Sequence, residues 1–278
     1  MLIAVNGIIQ DEAQWAFDLK RNRAFHYGDG FFESIRYCHQ QLPFFHFHLE
    51  RMGKAFDALE FPGFLPEPHF LEEQIRNLFA ANKIQEGVAR LTYYRKAEGR
   101  YSPSNETAEY VIEVSERPFH GFVHEYQEVG ITNKAFLHPQ PYSFAKTLNA
   151  LPYVLAAKDA QQHGWNEALL CSSNGILVEG TFSNLVLVFG NEIKTPAHET
   201  GAVQGTGLRA LEECLQAMGK KLEYTFIPSE ALTEATEIWF VNAANGIHAV
   251  EKYANQLYRN EWSKEVGKFM EKHFLSNH

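Results

Sequence analysis

Residues 141–184 constrain the fold of this chain more than any other stretch. They contain a polar turn around Lys146, a helix-forming run that ends at Gly164, and two apolar runs that flank Asn174-Gly175. A glycine just after a helical run is a frequent helix end, and Asn-Gly between apolar runs is a strong hairpin signal. This succession of helix and hairpin predicts a mixed α/β fold. The predicted elements are a helix over 149–163 and strands over 168–172 and 176–179.

The rest of the chain continues this mixture of short strands and amphipathic helices. Turn residues predict hairpins at Asn6-Gly7 and Gly190-Asn191, and apolar residues at helical spacing predict the helices. The other predicted strands cover 31–38, 42–47, 88–94, 110–114, 130–135, 185–189, 192–195 and 238–241. The other predicted helices cover 48–59 and 70–81, the run after Gln204, and the C-terminal residues. A polar loop is predicted over 95–103.

The length of the chain and one polar interruption predict two domains. A chain of 278 residues is long for a single hydrophobic core. The run from Glu116 to Gly121 is polar, contains Pro118, and breaks the pattern of strands and helices. We therefore expect an N-terminal α+β domain over 1–116, a linker over 117–122, and a C-terminal α/β domain over 123–278.

Charge and composition exclude several classes of protein. The net charge is −9 and no long basic run is present, which argues against nucleic-acid binding. No apolar run approaches the ~20 residues of a membrane span, so no membrane partner is expected. The three cysteines are too far apart for a redox or metal pair, and the 13 histidines show no metal-binding spacing. These features predict a cytoplasmic protein without a metal.

Lys146 and Glu179 are the two groups of the central stretch that suggest a reaction. Pyridoxal-phosphate chemistry requires an amine that can form a Schiff base and a carboxylate that keeps the pyridine nitrogen protonated. Lys146 lies between a predicted strand and a predicted helix, and Glu179 ends an apolar strand. The plain alternatives are a solvated surface lysine and a strand-end carboxylate that faces water.

A phosphate site is indicated where a helix begins at Gly205-Thr206-Gly207. Free backbone N–H groups and the positive end of the helix dipole at such a start favour an anion. Arg51 could add a charge-assisted fork. Thr206 is also an ordinary helix cap, and Arg51 could equally be a surface arginine.

Three arginines are candidates for gripping a substrate carboxylate, namely Arg36, Arg90 and Arg100. Arg100 is favoured by its place in a polar loop beside Tyr101, because ligand contacts concentrate on loops. The alternative is that the three are unrelated surface or sheet-edge residues.

Together, six motifs in order resemble the class IV, fold-type IV pyridoxal-phosphate enzymes, and the likeness covers about Val5 to Val250. This group includes aminodeoxychorismate lyases, branched-chain aminotransferases and D-amino-acid aminotransferases. The motifs are Arg23, Tyr27-Gly28-Asp29-Gly30 with Phe32-Glu33, His48-Leu49-Glu50-Arg51, Lys146-Thr147-Leu148-Asn149, Val178-Glu179-Gly180 with Ser183-Asn184, and Gly205 to Gly207.

The resemblance assigns roles to individual residues. Lys146 matches the Schiff-base lysine, Glu179 the partner of the pyridine nitrogen, and Arg51 the phosphate arginine. Thr206 and Gly207 match the phosphate-binding helix start, and Ala243 a second phosphate contact. It also implies two α/β domains with pyridoxal 5′-phosphate between them, a small amino substrate, and a homodimer.

The same resemblance favours one reaction over the others. Phe32 stands where D-amino-acid aminotransferases typically place a tyrosine, and Asn242-Ala243 and Gly99-Arg100-Tyr101 look like the lyase group. We therefore expect a 4-amino-4-deoxychorismate lyase that releases pyruvate and 4-aminobenzoate, a folate precursor, with Arg90 or Arg100 on a carboxylate. The alternatives are a class IV aminotransferase that uses 2-oxoglutarate and a non-catalytic binder on the same scaffold.

Overall fold

The chain divides into two units after Phe119, and one short segment crosses back. The computed structural model describes residues 1–16 and 18–275. The first unit comprises Met1–Phe119 and Ala145–Asn149, and the second comprises His120–Phe144 and Ala150–His278. The segment that carries Lys146 thus belongs to the first unit, although the sequence places it within 123–278.

The first unit is built on an antiparallel sheet with the strand order β2-β1-β5-β4-β3. Its strands are β1 (Leu2–Val5), β2 (Ile8–Asp11), β3 (Gly30–Tyr37), β4 (Gly87–Glu98) and β5 (Ser104–Glu116). Its helices are α1 (Arg23–Tyr27), α2 (Phe45–Ala58) and α3 (Pro68–Ala81). The apolar side chains of α3 that recur at helical spacing, Leu71, Ile75, Leu78 and Phe79, are fully buried.

The second unit is built on a mixed sheet with the strand order β11-β10-β9-β12-β13-β6-β7-β8, and β14 also pairs with β13. Its strands are β6 (Val123–Ile131), β7 (Glu167–Cys171), β8 (Leu177–Gly180), β9 (Asn184–Phe189), β10 (Glu192–Pro196), β11 (Leu222–Thr225), β12 (Glu237–Asn242), β13 (Gly246–Tyr253) and β14 (Gln256–Leu257). Its helices are α4 (Leu151–His163), α5 (Thr206–Ala217) and α6 (Glu261–Leu275). The predicted C-terminal helix is described as far as Leu275, and its last three residues lie outside the described part of the chain.

Two local predictions in the first unit are wrong. The strand expected over 42–47 does not form, because Phe44 adopts a left-handed conformation with φ 65° and α2 begins at Phe45. The polar loop expected over 95–103 is shortened to a hairpin tip, because β4 continues to Glu98 and β5 begins at Ser104. Arg95, which looked like a loop residue, is buried and pairs with Asp29 and Glu106.

Lys146 precedes a helix, as the sequence predicted, but that helix begins slightly later than the predicted start at residue 149. The helix that follows it, α4, begins at Leu151 and ends before Gly164, whose φ of 74° gives the expected left-handed helix end. Pro152 occupies the first turn of α4, where its missing N–H costs no hydrogen bond. Lys146 therefore lies in an extended segment just before the helix.

Candidate active site

The segment that carries Lys146 is fixed to the edge of β3 by backbone hydrogen bonds. The N–H of Phe32 donates to the carbonyl of Lys146 at 2.8 Å, and the N–H of Leu148 donates to the carbonyl of Gly30 at 2.9 Å. A Cβ on Gly30 would lie 2.3 Å from the carbonyl oxygen of Tyr93 and 2.6 Å from Leu148 Cδ1. The glycine of this motif is therefore required for the close approach that places Lys146.

Phe32 brings two cationic side chains to one aromatic ring. Lys146 Nζ lies 4.6 Å from the centroid of the Phe32 ring, and the guanidinium carbon of Arg90 lies 3.7 Å from it. Cations over an aromatic face are attracted by the ring quadrupole. The candidate amine and one of the candidate carboxylate-binding arginines therefore share a neighbour in the same unit.

Arg51 is buried and bound to Glu33 of β3. Its Nε donates to Glu33 Oε1 at 2.8 Å and its Nη2 donates to Glu33 Oε2 at 2.5 Å, while His48 Nδ1 lies 2.6 Å from Glu33 Oε2. Burial alone would raise the pKa of Glu33, but the charges of Arg51 and His48 hold it at about 2. Arg51 is thus not the surface arginine that its spacing allowed.

His48 extends the electrostatic connection toward Lys146. Burial lowers the pKa of His48 against the opposing effect of Glu33, and the charges of Arg51 and Lys146 lower it further. The Lys146 amine therefore lies within electrostatic range of this buried imidazole.

Arg100 lies at the exposed tip of the hairpin between β4 and β5. The side chain of Arg23 holds this tip, because its Nη1 donates to the carbonyl of Arg100. Arg23 is in turn bound to Asp29, with 2.7 Å between Nε and Oδ2. Arg36, the third candidate, is buried and donates to the carbonyl of Arg117 at 2.7 Å, so it has a structural role.

Glu179, in the second unit, is a buried carboxylate that accepts hydrogen bonds from Tyr153, Asn184 and Val203. Tyr153 Oη donates to Oε1 at 2.7 Å, and Asn184 Nδ2 and the N–H of Val203 donate to Oε2 at 3.2 and 3.1 Å. Burial and the nearby Glu179 charge raise the pKa of Tyr153, so its hydroxyl remains a donor. Such hydrogen bonds stabilise the charged form of a carboxylate. Glu179 is therefore not the water-facing strand end of the plain alternative.

The start of α5 lies against the loop that follows β12. The residue before the helix, Gly205, has no side chain to cap the first turn. A Cβ on Gly207 would lie 2.5 Å from the carbonyl carbon of Asn242 and 2.7 Å from the nitrogen of Ala243. The structure thus brings together Thr206, Gly207 and Ala243, which the sequence assigned to one phosphate site.

Sequence reasoning missed several residues that hold these groups. Tyr153 and the backbone of Val203 had no recognisable signal, since their link to Glu179 depends on the tertiary fold. Glu33 and Asn184 were seen as parts of motifs, but nothing in the sequence indicated that they bind Arg51 and Glu179.

Other kinds of site are not supported within residues 1–16 and 18–275. No group of three or more histidine, cysteine or acidic residues there could hold a metal ion. In the same part of the chain, no helix has the length and apolar character needed to cross a membrane. Cys38, Cys171 and Cys214 are buried free thiols, and burial raises the pKa of each.

Two curated relatives match most of this chain. The aminodeoxychorismate lyase of Vibrio harveyi is 26% identical over 251 residues, which cover 88% of this chain and 89% of the relative. The branched-chain-amino-acid aminotransferase of Escherichia coli K12 is 24% identical over 241 residues, which cover 82% of this chain and 77% of the relative.

Solved structures share the fold over nearly the whole length. A branched-chain aminotransferase from Thermoproteus uzoniensis, solved with norvaline, superposes with a TM-score of 0.88, 20% identity, and coverage of 99% of this chain and 95% of the other. The 4-amino-4-deoxychorismate lyase from Pseudomonas aeruginosa superposes with a TM-score of 0.83 and 24% identity, and the match covers 99% of this chain and 100% of the other. A hypothetical aminotransferase from Mycobacterium tuberculosis, in a form with bound pyridoxal phosphate, superposes with a TM-score of 0.83 and 18% identity, and the match covers 100% of both chains. The predicted fold, a mixed α/β architecture of fold-type IV, is confirmed.

A comparison with models of protein families shows which family the chain belongs to. The model described as amino-transferase class IV matches residues 30–253, which is most of the chain. The predictions of class IV membership and of an enzyme that depends on pyridoxal phosphate are confirmed at the level of this family. The protein therefore belongs to the class IV aminotransferases.

Proposed function

We propose that this protein is a 4-amino-4-deoxychorismate lyase that releases pyruvate and 4-aminobenzoate. The similarity to the Vibrio harveyi lyase supports this choice, because it covers nearly nine tenths of both chains. A second support is the loop at Asn242-Ala243, which lacks the side-chain hydroxyl that the aminotransferase branch places there. One observation carries the chemistry itself, namely the buried Glu179 carboxylate with its three donors.

The residues present fit pyridoxal 5′-phosphate. The close packing of Gly207 against Ala243 leaves no room for a side chain, as expected where backbone must approach a phosphate. The start of α5 provides backbone N–H groups and the positive end of a helix dipole for the same phosphate. We assign the phosphate to Thr206, Gly207, Ala243 and Arg51, and the ring nitrogen to Glu179.

Lys146 has two tasks in this proposal. Its Nζ would hold the cofactor, and the same nitrogen would remove the proton from the carbon that bears the substrate nitrogen. When bound, the cofactor supplies an electron sink for that carbon. Glu179 keeps the pyridine nitrogen protonated, and Arg90 or Arg100 holds a substrate carboxylate by a charge-assisted fork.

The overall reaction is balanced without a further reactant. One proton leaves the carbon that bears the amine, and the neighbouring carbon–oxygen bond breaks. The three-carbon enol departs with the electrons of that bond, takes up a proton and becomes pyruvate. The six-membered ring becomes aromatic as 4-aminobenzoate.

Location and assembly complete the proposal. We place the protein in the cytoplasm as a homodimer that supplies 4-aminobenzoate for folate synthesis. Three buried free thiols suit a reducing compartment. Light scattering of the purified protein measures the assembly, and a monomeric mass would contradict the dimer.

The test is a direct assay of both products. Purified protein and 4-amino-4-deoxychorismate should yield 4-aminobenzoate, read by fluorescence, and an equal amount of pyruvate, read with lactate dehydrogenase. The Lys146→Ala variant should yield neither. Full activity of that variant would remove the mechanism.

An aminotransferase is the second candidate, and the similarity to the Escherichia coli enzyme favours it. It would share the proton removal by Lys146 and then pass the amino group to 2-oxoglutarate. Incubation with an amino acid alone separates the two reactions. Conversion of the cofactor's absorbance to that of the pyridoxamine form would favour transamination, whereas an unchanged spectrum favours the lyase.

A further inference from the structure

The side chain of Asn242 helps to hold the hairpin loop after β12. Asn242 Oδ1 accepts hydrogen bonds from the N–H groups of Ala244 and Asn245, at 3.0 and 2.9 Å. These two donors fix which end of the amide is oxygen, so the NH₂ group must face the other way. It donates to Ser183 Oγ at 3.1 Å.

The hydrogen bonds continue from Ser183 into the core of the second unit. Because Ser183 Oγ accepts from Asn242, its own proton is free to be donated, and Glu167 Oε2 lies 3.1 Å away. Glu167 is fully buried, and its Oε1 accepts from the N–H of Phe182 at 3.0 Å. In this series of hydrogen bonds, Asn242 donates to Ser183 and Ser183 donates to Glu167.

Glu167 also packs against Gly180, the residue that follows Glu179, so closely that only glycine fits there. A Cβ on Gly180 would lie 2.2 Å from Glu167 Oε1. The Glu167 carboxyl group therefore contacts the turn between β8 and β9, and Ser183 links this carboxyl group to the loop after β12 through hydrogen bonds. Two turns that are far apart in sequence are thus joined by one serine hydroxyl.

We propose that Asn242, Ser183 and Glu167 form a positioning network for the cofactor phosphate. They hold the loop 243–245 so that the N–H of Ala243 stays beside Gly207 at the start of α5. The network replaces the hydroxyl that a serine or threonine would offer directly, because Asn242 uses its amide to shape the backbone instead. This inference rests on the proposed function, which assigns the phosphate to this place.

The experiment compares two ligands that differ only in the phosphate. Apo-protein is titrated with pyridoxal 5′-phosphate and with pyridoxal, and binding is followed by absorbance. Asn242→Ala should weaken the binding of pyridoxal 5′-phosphate by about tenfold, since two hydrogen bonds within the loop and one to Ser183 are lost. Binding of pyridoxal should change by less than about twofold, because the network does not touch the ring.

Two serine variants serve as a matched pair. Ser183→Ala removes the hydroxyl and should lower phosphate selectivity in the same direction, whereas Ser183→Thr keeps the hydroxyl and should restore it. The ³¹P chemical shift of the bound cofactor gives a second reading, which should move in Asn242→Ala and Ser183→Ala and remain unchanged in Ser183→Thr. Circular dichroism melting verifies that each variant is folded.

The outcomes separate this inference from the proposed function. Equal losses for both ligands, or no loss in either alanine variant, would overturn the positioning network. Gly207→Ala tests the phosphate site itself, because its Cβ would enter the space beside Ala243. If Gly207→Ala also binds both ligands normally, the phosphate assignment is wrong and the network is wrong with it.

Discussion

Arg51 and Glu33 form a bidentate ion pair in the interior of the first unit. The distances are 2.8 Å between Nε and Oε1 and 2.5 Å between Nη2 and Oε2. Glu33 is 1% exposed and Arg51 is 6% exposed, so water does little to replace either partner. The pair therefore fixes the plane of the guanidinium that we assign to the cofactor phosphate.

Glu33→Gln should destabilise the protein strongly. The substitution keeps the shape of the side chain but leaves the charge of Arg51 buried without its counter-charge, which typically costs about 3–5 kcal/mol. Urea unfolding of the apo-protein measures this loss. The matched control is Glu116→Gln at an exposed strand end, which should change the unfolding free energy by less than about 0.5 kcal/mol.

The same pair predicts the direction of acid sensitivity. The pKa of Glu33 is lowered from 4.5 to about 2 in the folded chain. Its contribution is therefore present above pH 4.5 and is lost as the pH falls toward 2, a change of about 3 kcal/mol. Glu33→Gln should lack this loss. An equal acid slope in both proteins would contradict the assignment of the charge to Glu33.

Local signals in the sequence predicted most of the strands and helices, and distant contacts explain what they missed. Asn174-Gly175 and Gly164 act through neighbouring residues, so their hairpin and helix end could be read directly. The run over 42–47 is rich in aromatic residues, which favour strands, yet Phe47 is buried on one face of α2. Burial of that face outweighs the preference of aromatic residues for strands.

The candidate site shows the same division. The family motifs located Lys146 and Glu179, but the sequence could not predict that the Lys146 segment pairs with β3, more than a hundred residues earlier. It also could not predict that Arg51 binds Glu33, because that contact requires α2 to pack on a strand. Residue types were predictable from motifs, whereas their partners depend on the fold.

Arg90 rather than Arg100 should dominate substrate binding. The guanidinium of Arg90 is already stacked on Phe32, while that of Arg100 must lose side-chain freedom from an exposed hairpin tip. We expect Arg90→Ala to raise KM by about tenfold or more, the loss typical of a charge-assisted pair, and Arg100→Ala to raise it by less than about threefold. Steady-state kinetics with 4-amino-4-deoxychorismate measure both. A larger effect of Arg100→Ala would reverse the assignment.

Arg90→Lys tests whether the planar group is needed. Lysine keeps the charge but cannot stack or form a bidentate fork. The variant should therefore resemble Arg90→Ala more than the unaltered protein in KM. Recovery of normal KM would show that only the charge matters.

Tyr153→Phe should slow the reaction without unfolding the protein. It removes the 2.7 Å hydrogen bond to Glu179 Oε1, while the donors Asn184 and Val203 remain on Oε2. Loss of one donor to a charged group costs about 1.5–3 kcal/mol, so kcat should fall by about tenfold or more. Tyr258→Phe removes a comparable bond, 3.0 Å from Oη to the carbonyl of Leu232, and is the control that should leave kcat unchanged. Equal effects of the two variants would remove the special role of Tyr153.

Glu167 should make the protein less stable as the pH rises toward neutrality. Burial raises the pKa of this carboxyl group from 4.5 to about 7, against the hydrogen bonds from Phe182 and Ser183 that lower it. The folded chain therefore holds a proton that the unfolded chain releases between these two values, and about 3 kcal/mol of stability is lost across that range. Urea unfolding at several pH values should show Glu167→Gln gaining stability relative to the unaltered protein from pH 4.5 to 7. Glu223→Gln, at an exposed position, should show no such change. If the difference between Glu167→Gln and the unaltered protein is constant with pH, then Glu167 does not titrate in this range, because a shifted carboxyl group must produce a slope between its two pKa values.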